Sequence, residues 1–102
     1  MTSAKEIALL RSDTRYGRLA KVYLDCYDDA AIGKGEIRHG DDRPFEEQIS
    51  SIITRLVGLG YPFGQALKKH DEHKKLELEA AIKELRGAIN YLAVAIIHLE
   101  DA

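Results

Sequence analysis

The sequence predicts an all-α fold, a small helical bundle with a long C-terminal helix that carries a heptad pattern and is completed by self-association. Apolar residues recur at steps of three and four along most of the chain. No Val/Ile/Thr-rich run alternates as a strand would. The pattern Ala-Ile-x-x-Leu occurs three times near the C-terminus with a step of seven. With 102 residues, we expect one domain, residues 1–102.

Composition narrows the class of protein. Hydrophobic residues make up 45% and charged residues 31%, which is typical of a folded globular protein. The formal net charge of −2 gives no general attraction to nucleic acid or to an anionic membrane. There is no leader pattern and no apolar run of about 18 residues, and the single cysteine, Cys26, cannot form an internal disulfide. We therefore expect a cytoplasmic protein without a membrane or nucleic-acid partner and without a cofactor.

The first helix is predicted at about residues 13–32. Ser12, Asp13 and Thr14 are all residue types that cap helix N-termini. One apolar stripe follows at helical spacing: Tyr16, Leu19, Tyr23, Cys26 and Ala30. The polar, glycine-containing residues 33–43 are predicted to form a mobile loop.

A second amphipathic helix is predicted at about residues 45–58. Pro44 suits the first helical position, and Gly58 or Gly60 ends the helix. The apolar positions are Phe45, Ile49, Ile52, Ile53, Leu56 and Val57. The stretch GLGYPFG is expected to be a tight connection to a last helix at about 64–101. Residues 64–77 have few apolar anchors, so they either continue into that helix or bend near His70–His73.

The last helix carries the clearest pattern in the chain. Isoleucine and leucine alternate at steps of four and three, as in a coiled-coil seam: Leu78, Ile82, Leu85, Ile89, Leu92, Ile96 and Leu99. Alanines flank this seam at one heptad position, which lets a neighbouring helix approach closely: Ala81, Ala88, Ala95 and Ala102. Residues 91–99 are apolar on nearly every side, so a second copy is predicted to cover what two short helices leave open. The alternative is a central position in a monomeric three-helix bundle.

An arginine face is the candidate for recognition. Arg11, Arg15 and Arg18 lie near the start of the first helix, with Tyr16 beside them, while Asp25, Asp28 and Asp29 lie near its end. Both placements oppose the helix macrodipole, so compensating partners are expected. Three interpretations stay open: ion pairs within the helix, an antiparallel neighbour from a second subunit, or a nucleotide or phosphate ligand.

Other candidate chemistry is not supported by the pattern. His70, His73 and Glu77 have the spacing of a metal site, but four lysines surround them, so no metal site is predicted. Cys26 lies on an apolar stripe, where a thiol is usually inert, and the glycines follow no strand. No catalytic residues are predicted.

Two segments resemble a known family. The stretch KELRGAINYLAVAI, residues 83–96, resembles the second metal-binding helix of the all-α nucleoside triphosphate pyrophosphatases of the MazG-like type, and RPFEEQISSIITRL, residues 43–56, resembles the first. The resemblance implies an obligate helical oligomer in which E-x-x-E/D pairs hold magnesium against a triphosphate. Here Glu47 is followed three places on by Ser50, and Glu84 by Gly87. Each pair therefore lacks its second carboxylate.

The functional hypothesis is a small non-catalytic interaction protein that forms a homodimer or higher homo-oligomer and binds a protein partner, as accessory or inhibitory proteins do. Its predicted interface residues are Ile82, Leu85, Ile89, Leu92, Ile96 and Leu99. The alternative is a nucleotide-binding or pyrophosphohydrolase-like protein.

Overall fold

The computed structural model describes residues 15–32 and 43–102, and these residues confirm the all-α class. Four α-helices follow in order: α1, Gly17–Ala31; α2, Ile49–Val57; α3, Gly60–Glu72; and α4, Leu78–Glu100. Two short 3₁₀ turns, Phe45–Glu47 and His73–Lys75, precede α2 and follow α3. The 23-residue α4 is the centre of the fold, because α1, α2 and α3 all pack against it. Three predicted features lie outside the described residues: Arg11, the start of the first helix at residue 13, and nearly all of the loop 33–43.

The start of the second helix differs from the prediction at Pro44. Pro44 and Gln48 have extended backbone on either side of the 3₁₀ turn, so α2 begins only at Ile49. Side chains hold this turn: Ser51 Oγ donates to the Phe45 carbonyl at 3.2 Å, and the Arg55 guanidinium donates to the Glu46 carbonyl at 2.8 Å. A short α-helix is thus anchored to the segment before it.

The stretch GLGYPFG is mostly helical. Gly58 ends α2 with a positive φ of 91°, and α3 starts two residues later at Gly60. Pro62 is the third residue of α3, where the first-turn N–H groups have no helical acceptor, so the missing N–H costs no hydrogen bond. The connection is therefore shorter than the sequence suggested.

A break separates α3 from α4. After the turn at His73–Lys75, Leu76 and Glu77 both have extended backbone, with ψ of 156° and 159°. The prediction left open whether residues 64–77 continue the last helix; residues 64–72 belong to the separate helix α3, and the segment after them breaks before α4. The break lets α3 fold back along α4.

Gly58 is the position where the backbone requires glycine. Its φ of 91° and ψ of −176° lie in a region that essentially only glycine occupies. We expect Gly58→Ala to lower the free energy of unfolding by about 1–3 kcal/mol. Urea denaturation followed by circular dichroism measures this change.

The control is Gly64→Ala on the exposed side of α3, where an added Cβ meets no atom within 4 Å. That change should raise the free energy of unfolding by up to about 1 kcal/mol, because alanine favours the helix. Equal effects at both positions would contradict the assignment of the turn.

Candidate interaction surface

The predicted seam of α4 points away from the body of the molecule. We call its seven residues the outer face of α4: Leu78, Ile82, Leu85, Ile89, Leu92, Ile96 and Leu99. Six of them keep between 37% and 75% of their surface exposed, and Ile89 is half-buried. Exposed apolar side chains at heptad spacing along a 23-residue helix form one continuous strip. Within Tyr91–Leu99, the described part of the chain therefore leaves Leu92, Ile96 and Leu99 exposed.

The opposite side of α4 packs against the rest of the fold. Val94 and Ala95 are only 2% and 3% exposed. Val94 and Gly87 occupy the heptad position directly behind the outer face, and Ala95 belongs to the alanine edge. The alanine edge is thus used within the chain, where Ala81 and Ala88 are also half-buried. The seam and the alanines were predicted as one apolar face. In the structure most of the seam is exposed, whereas the alanines of this edge within α4 pack against the rest of the chain.

The inward surfaces of the other helices are also lined by small side chains. The buried residues of α1, α2 and α3 are Ala20, Cys26, Ser51, Thr54, Pro62 and Ala66. In α2 the buried side chains are polar, and Thr54 Oγ1 donates to the Ser50 carbonyl at 2.7 Å. Leu56 and Val57 are 78% and 68% exposed. The core is therefore built from small residues, and many of the large apolar ones lie outside it.

Polar contacts attach α1 to α4. Arg86 Nε donates to Asp29 Oδ2 at 2.7 Å, and the Asn90 amide donates to the Cys26 carbonyl at 2.9 Å. The hydrogen bond to Asp29 raises the pKa of the Arg86 guanidinium above its ordinary value. Because residues 26 and 29 of α1 meet residues 90 and 86 of α4, the two helices run antiparallel.

A second polar cluster joins α3 to α4. Lys69 Nζ lies 3.3 Å from Glu84 Oε2 and 6.0 Å from the centre of the Tyr91 ring, which in turn meets Tyr61 edge-on. A Cβ added at Gly87 would lie 2.9 Å from Lys69 Cδ, so glycine leaves room for the lysine stem. The glutamate that the family resemblance offered as a magnesium ligand thus carries an ammonium partner.

The arginine face is described for Arg15, Tyr16 and Arg18, all of which are exposed; Arg11 lies outside the described residues. The Arg15 guanidinium lies 5.5 Å from the centre of the Tyr16 ring. Of the acidic residues expected to need partners, Asp25 pairs with Lys21 at 2.7 Å and Asp29 with Arg86. Some of the charges that oppose the α1 macrodipole are therefore compensated within the chain.

Tyrosines form a separate apolar strip on α1. Tyr16, Tyr23 and Tyr27 are 57–60% exposed and fall within one side of the helix, with Leu19 beside them. The predicted stripe of this helix thus divides: Cys26 is buried against the fold, whereas its aromatic members face outward.

The histidines lie at the end of α3. The His70 and His73 rings are 5.4 Å apart, and His73 Nδ1 meets the carbonyl of His70, in a turn with Lys74 and Lys75. Within residues 15–32 and 43–102, no three His, Cys, Asp or Glu side chains gather as a metal ion would require. None of the helices in these ranges has the length and apolar character to cross a bilayer.

Sequence reasoning missed both polar clusters. The signal for the α3 cluster was Gly87, a glycine within an otherwise strong helix, which indicates close approach by another group. Nothing in the sequence pairs Asp29 with Arg86, because the two are 57 residues apart. Comparisons with protein-family models, with curated proteins and with solved structures give no match.

Cys26 reports on the attachment of α1. Burial raises the pKa of its thiol, and the negative charge of Asp29 raises it further. Asp29→Asn removes that charge and weakens the contact with Arg86, so more thiolate forms and α1 opens more often. We expect Cys26 to react with a thiol reagent about tenfold faster, since a lost charged hydrogen bond costs about 1.5–3 kcal/mol.

Asp28→Asn is the matched control, because it removes the same charge at an exposed neighbouring position. Its reaction rate should stay near that of the unchanged protein. Equal acceleration by both substitutions would show that net charge, and not the contact with Arg86, governs access to the thiol.

Proposed function

We propose that this protein is a small non-catalytic interaction protein that acts through assembly, with the outer face of α4 as its working surface. The occupant is another apolar helix, from a second copy or from a protein partner. The observation that carries the proposal is the outward orientation of the heptad pattern. A heptad pattern of isoleucine and leucine is typical of helices that pack against another helix, and the described residues place no helix over this one.

Energetic magnitudes support the proposal. The exposed fractions of the six exposed residues of the outer face are equivalent to about three whole side chains. Burying about three leucine or isoleucine side chains contributes about 5–9 kcal/mol, and two such faces contribute about 9–18 kcal/mol. Association costs about 4–15 kcal/mol in lost freedom of motion. Burial of the two faces thus contributes a free energy of the same order as the cost of association.

The proposal assigns recognition of a protein partner to the exposed surface around Arg15, Tyr16 and Arg18. Tyrosine and arginine are enriched among the residues that dominate binding energy at interfaces. Arg15 and Arg18 add positive charge, which favours an acidic partner surface. A reducing, cytoplasmic setting belongs to the same proposal, because the one cysteine is unpaired and buried.

Ile96→Asp tests the outer face. Ile96 is well exposed, so the change should leave the helical content and the midpoint of thermal unfolding nearly unchanged. A carboxylate in the seam should abolish association, because a buried unpaired charge is strongly unfavourable. Light scattering measures the mass in solution, and retention of partners from a native extract tests binding to another protein.

Ala80→Asp is the matched control, since it adds the same charge to α4 at an exposed position outside the outer face. It should keep the mass and the partners of the unchanged protein. The proposal fails if Ile96→Asp and the unchanged protein behave alike in both measurements.

The enzymatic alternative needs its own experiment. Glu84 is paired with Lys69, and Glu47 is exposed on a 3₁₀ turn; among residues 15–32 and 43–102, neither glutamate belongs to a group of three His, Cys, Asp or Glu side chains that could hold Mg²⁺. We expect the purified protein with Mg²⁺ to release no pyrophosphate from nucleoside triphosphates above the blank. Release that disappears in Glu47→Gln and in Glu84→Gln would replace the interaction proposal with a pyrophosphohydrolase.

A further inference from the structure

We infer that the occupant of the outer face of α4 is the same face of a second copy, packed parallel and in register about a two-fold axis that runs along the helix. The inference rests on the proposed function, which leaves the occupant open. It names both the partner and its direction, and each follows from the residues on and beside the face.

The order of the side chains favours self-pairing of two parallel strands. In heptad notation, isoleucine occupies every a position of the face, and leucine occupies every d position: Ile82, Ile89 and Ile96, then Leu78, Leu85, Leu92 and Leu99. β-Branched residues at a with leucine at d favour parallel dimers. A parallel register stacks each residue on its own equivalent, so every layer is isoleucine on isoleucine or leucine on leucine. No polar side chain interrupts these layers.

The flanking positions give the direction. In a parallel pair, e positions of one helix lie on the g side of the other, and here every g residue of α4 is an uncharged alanine that its own chain covers wholly or in part. No like charges then meet across the flanks. In an antiparallel pair, e positions face each other, and Glu79 of one copy would lie beside Glu100 of the other, twice by symmetry. The helix macrodipoles favour the antiparallel arrangement instead. Their effect is confined to the terminal turns and is screened by salt.

The body of the molecule leaves the face accessible. Val94 and Gly87, at the f positions, lie on the side of α4 opposite the seam and face the rest of the fold. Arg86 is the charged e residue at the middle of the helix, and Asp29 of the same chain already binds it. A parallel partner therefore meets no unpaired charge along the central part of the strip.

The size of the strip sets the expected strength. A helix of 23 residues is about 34 Å long, so a strip about 10 Å wide covers on the order of 350 Å². This is comparable to the largest apolar patches of monomers and smaller than the roughly 800 Å² that each partner contributes to a standard interface. We therefore expect a dimer whose population rises with protein concentration.

Cysteine cross-linking tests partner and direction together. In a background where Cys26 is replaced by alanine, Leu99→Cys lies far from the middle of the face. It should cross-link to itself under mild oxidation only in a parallel dimer, because a disulfide needs Cα atoms about 5.5–6 Å apart. Ile89→Cys, an a position near the middle of the face, is a second site that should cross-link to itself in the parallel dimer. A mixture of Ile82→Cys and Leu99→Cys forms a mixed product only in an antiparallel dimer, in which an a position of one helix faces a d position of the other.

The expected result is efficient self-linking at 89 and 99, with no mixed product between 82 and 99, and loss of all linking when Ile96→Asp is added. A dominant mixed product overturns the parallel arrangement. No linking at any position, with a monomeric mass at high concentration, overturns the second copy as occupant. The proposed function survives that last outcome if Ile96→Asp still loses a partner from the native extract, so the two failures are distinguishable.

Discussion

The fold is governed by the small size of the side chains at its helix contacts. Besides Pro62, five apolar residues are buried in the described part of the chain, and the largest of them is Val94. Alanine, serine and glycine let helices approach closely, but they bury little apolar surface per contact. The large aliphatic and aromatic side chains stand on the other sides of the same helices. Because the small residues lie at the helix contacts and the large apolar residues lie on the exposed sides, the interior is closely packed and the surface is partly apolar.

Polar contacts specify the arrangement that small side chains alone would leave loosely defined. Two contacts fix the axial position of α1 along α4: Arg86 with Asp29, and Asn90 with the Cys26 carbonyl. The contact of Lys69 with Glu84 fixes the axial position of α3 in the same way. Each contact is directional and lies at the edge of the packed layer. Since alanine surfaces slide easily past one another, such contacts determine register as well as adding stability. Gly87 belongs to this system because it makes room for the Lys69 stem.

The sequence predicted the helical class and the long last helix, because the apolar periodicity that defines an amphipathic helix is local information. It did not predict which side of α4 faces the body. Periodicity identifies an apolar side but does not say whether it meets the same chain or another one, and α4 has two such sides, the Ile/Leu seam and the Ala/Val side. The start of α3 was missed because GLGYPFG contains three glycines and a proline; at the first turn of a helix, neither residue type is excluded. The pairing of Asp29 with Arg86 depends on tertiary position, which no spacing reveals.

Any assembly through the outer face of α4 would be coupled to the stability of the fold. A domain of about 100 residues already buries a modest share of its unfolded surface, and here its largest aliphatic strip lies outside the core. Any helix that covers the outer face of α4 binds the folded chain, in which that face is ordered as one strip, and not the unfolded one. The free energy of association then adds to the free energy of folding. A partner that covered the outer face would thus stabilise the fold of α4, and this effect requires neither a pocket nor a catalytic group.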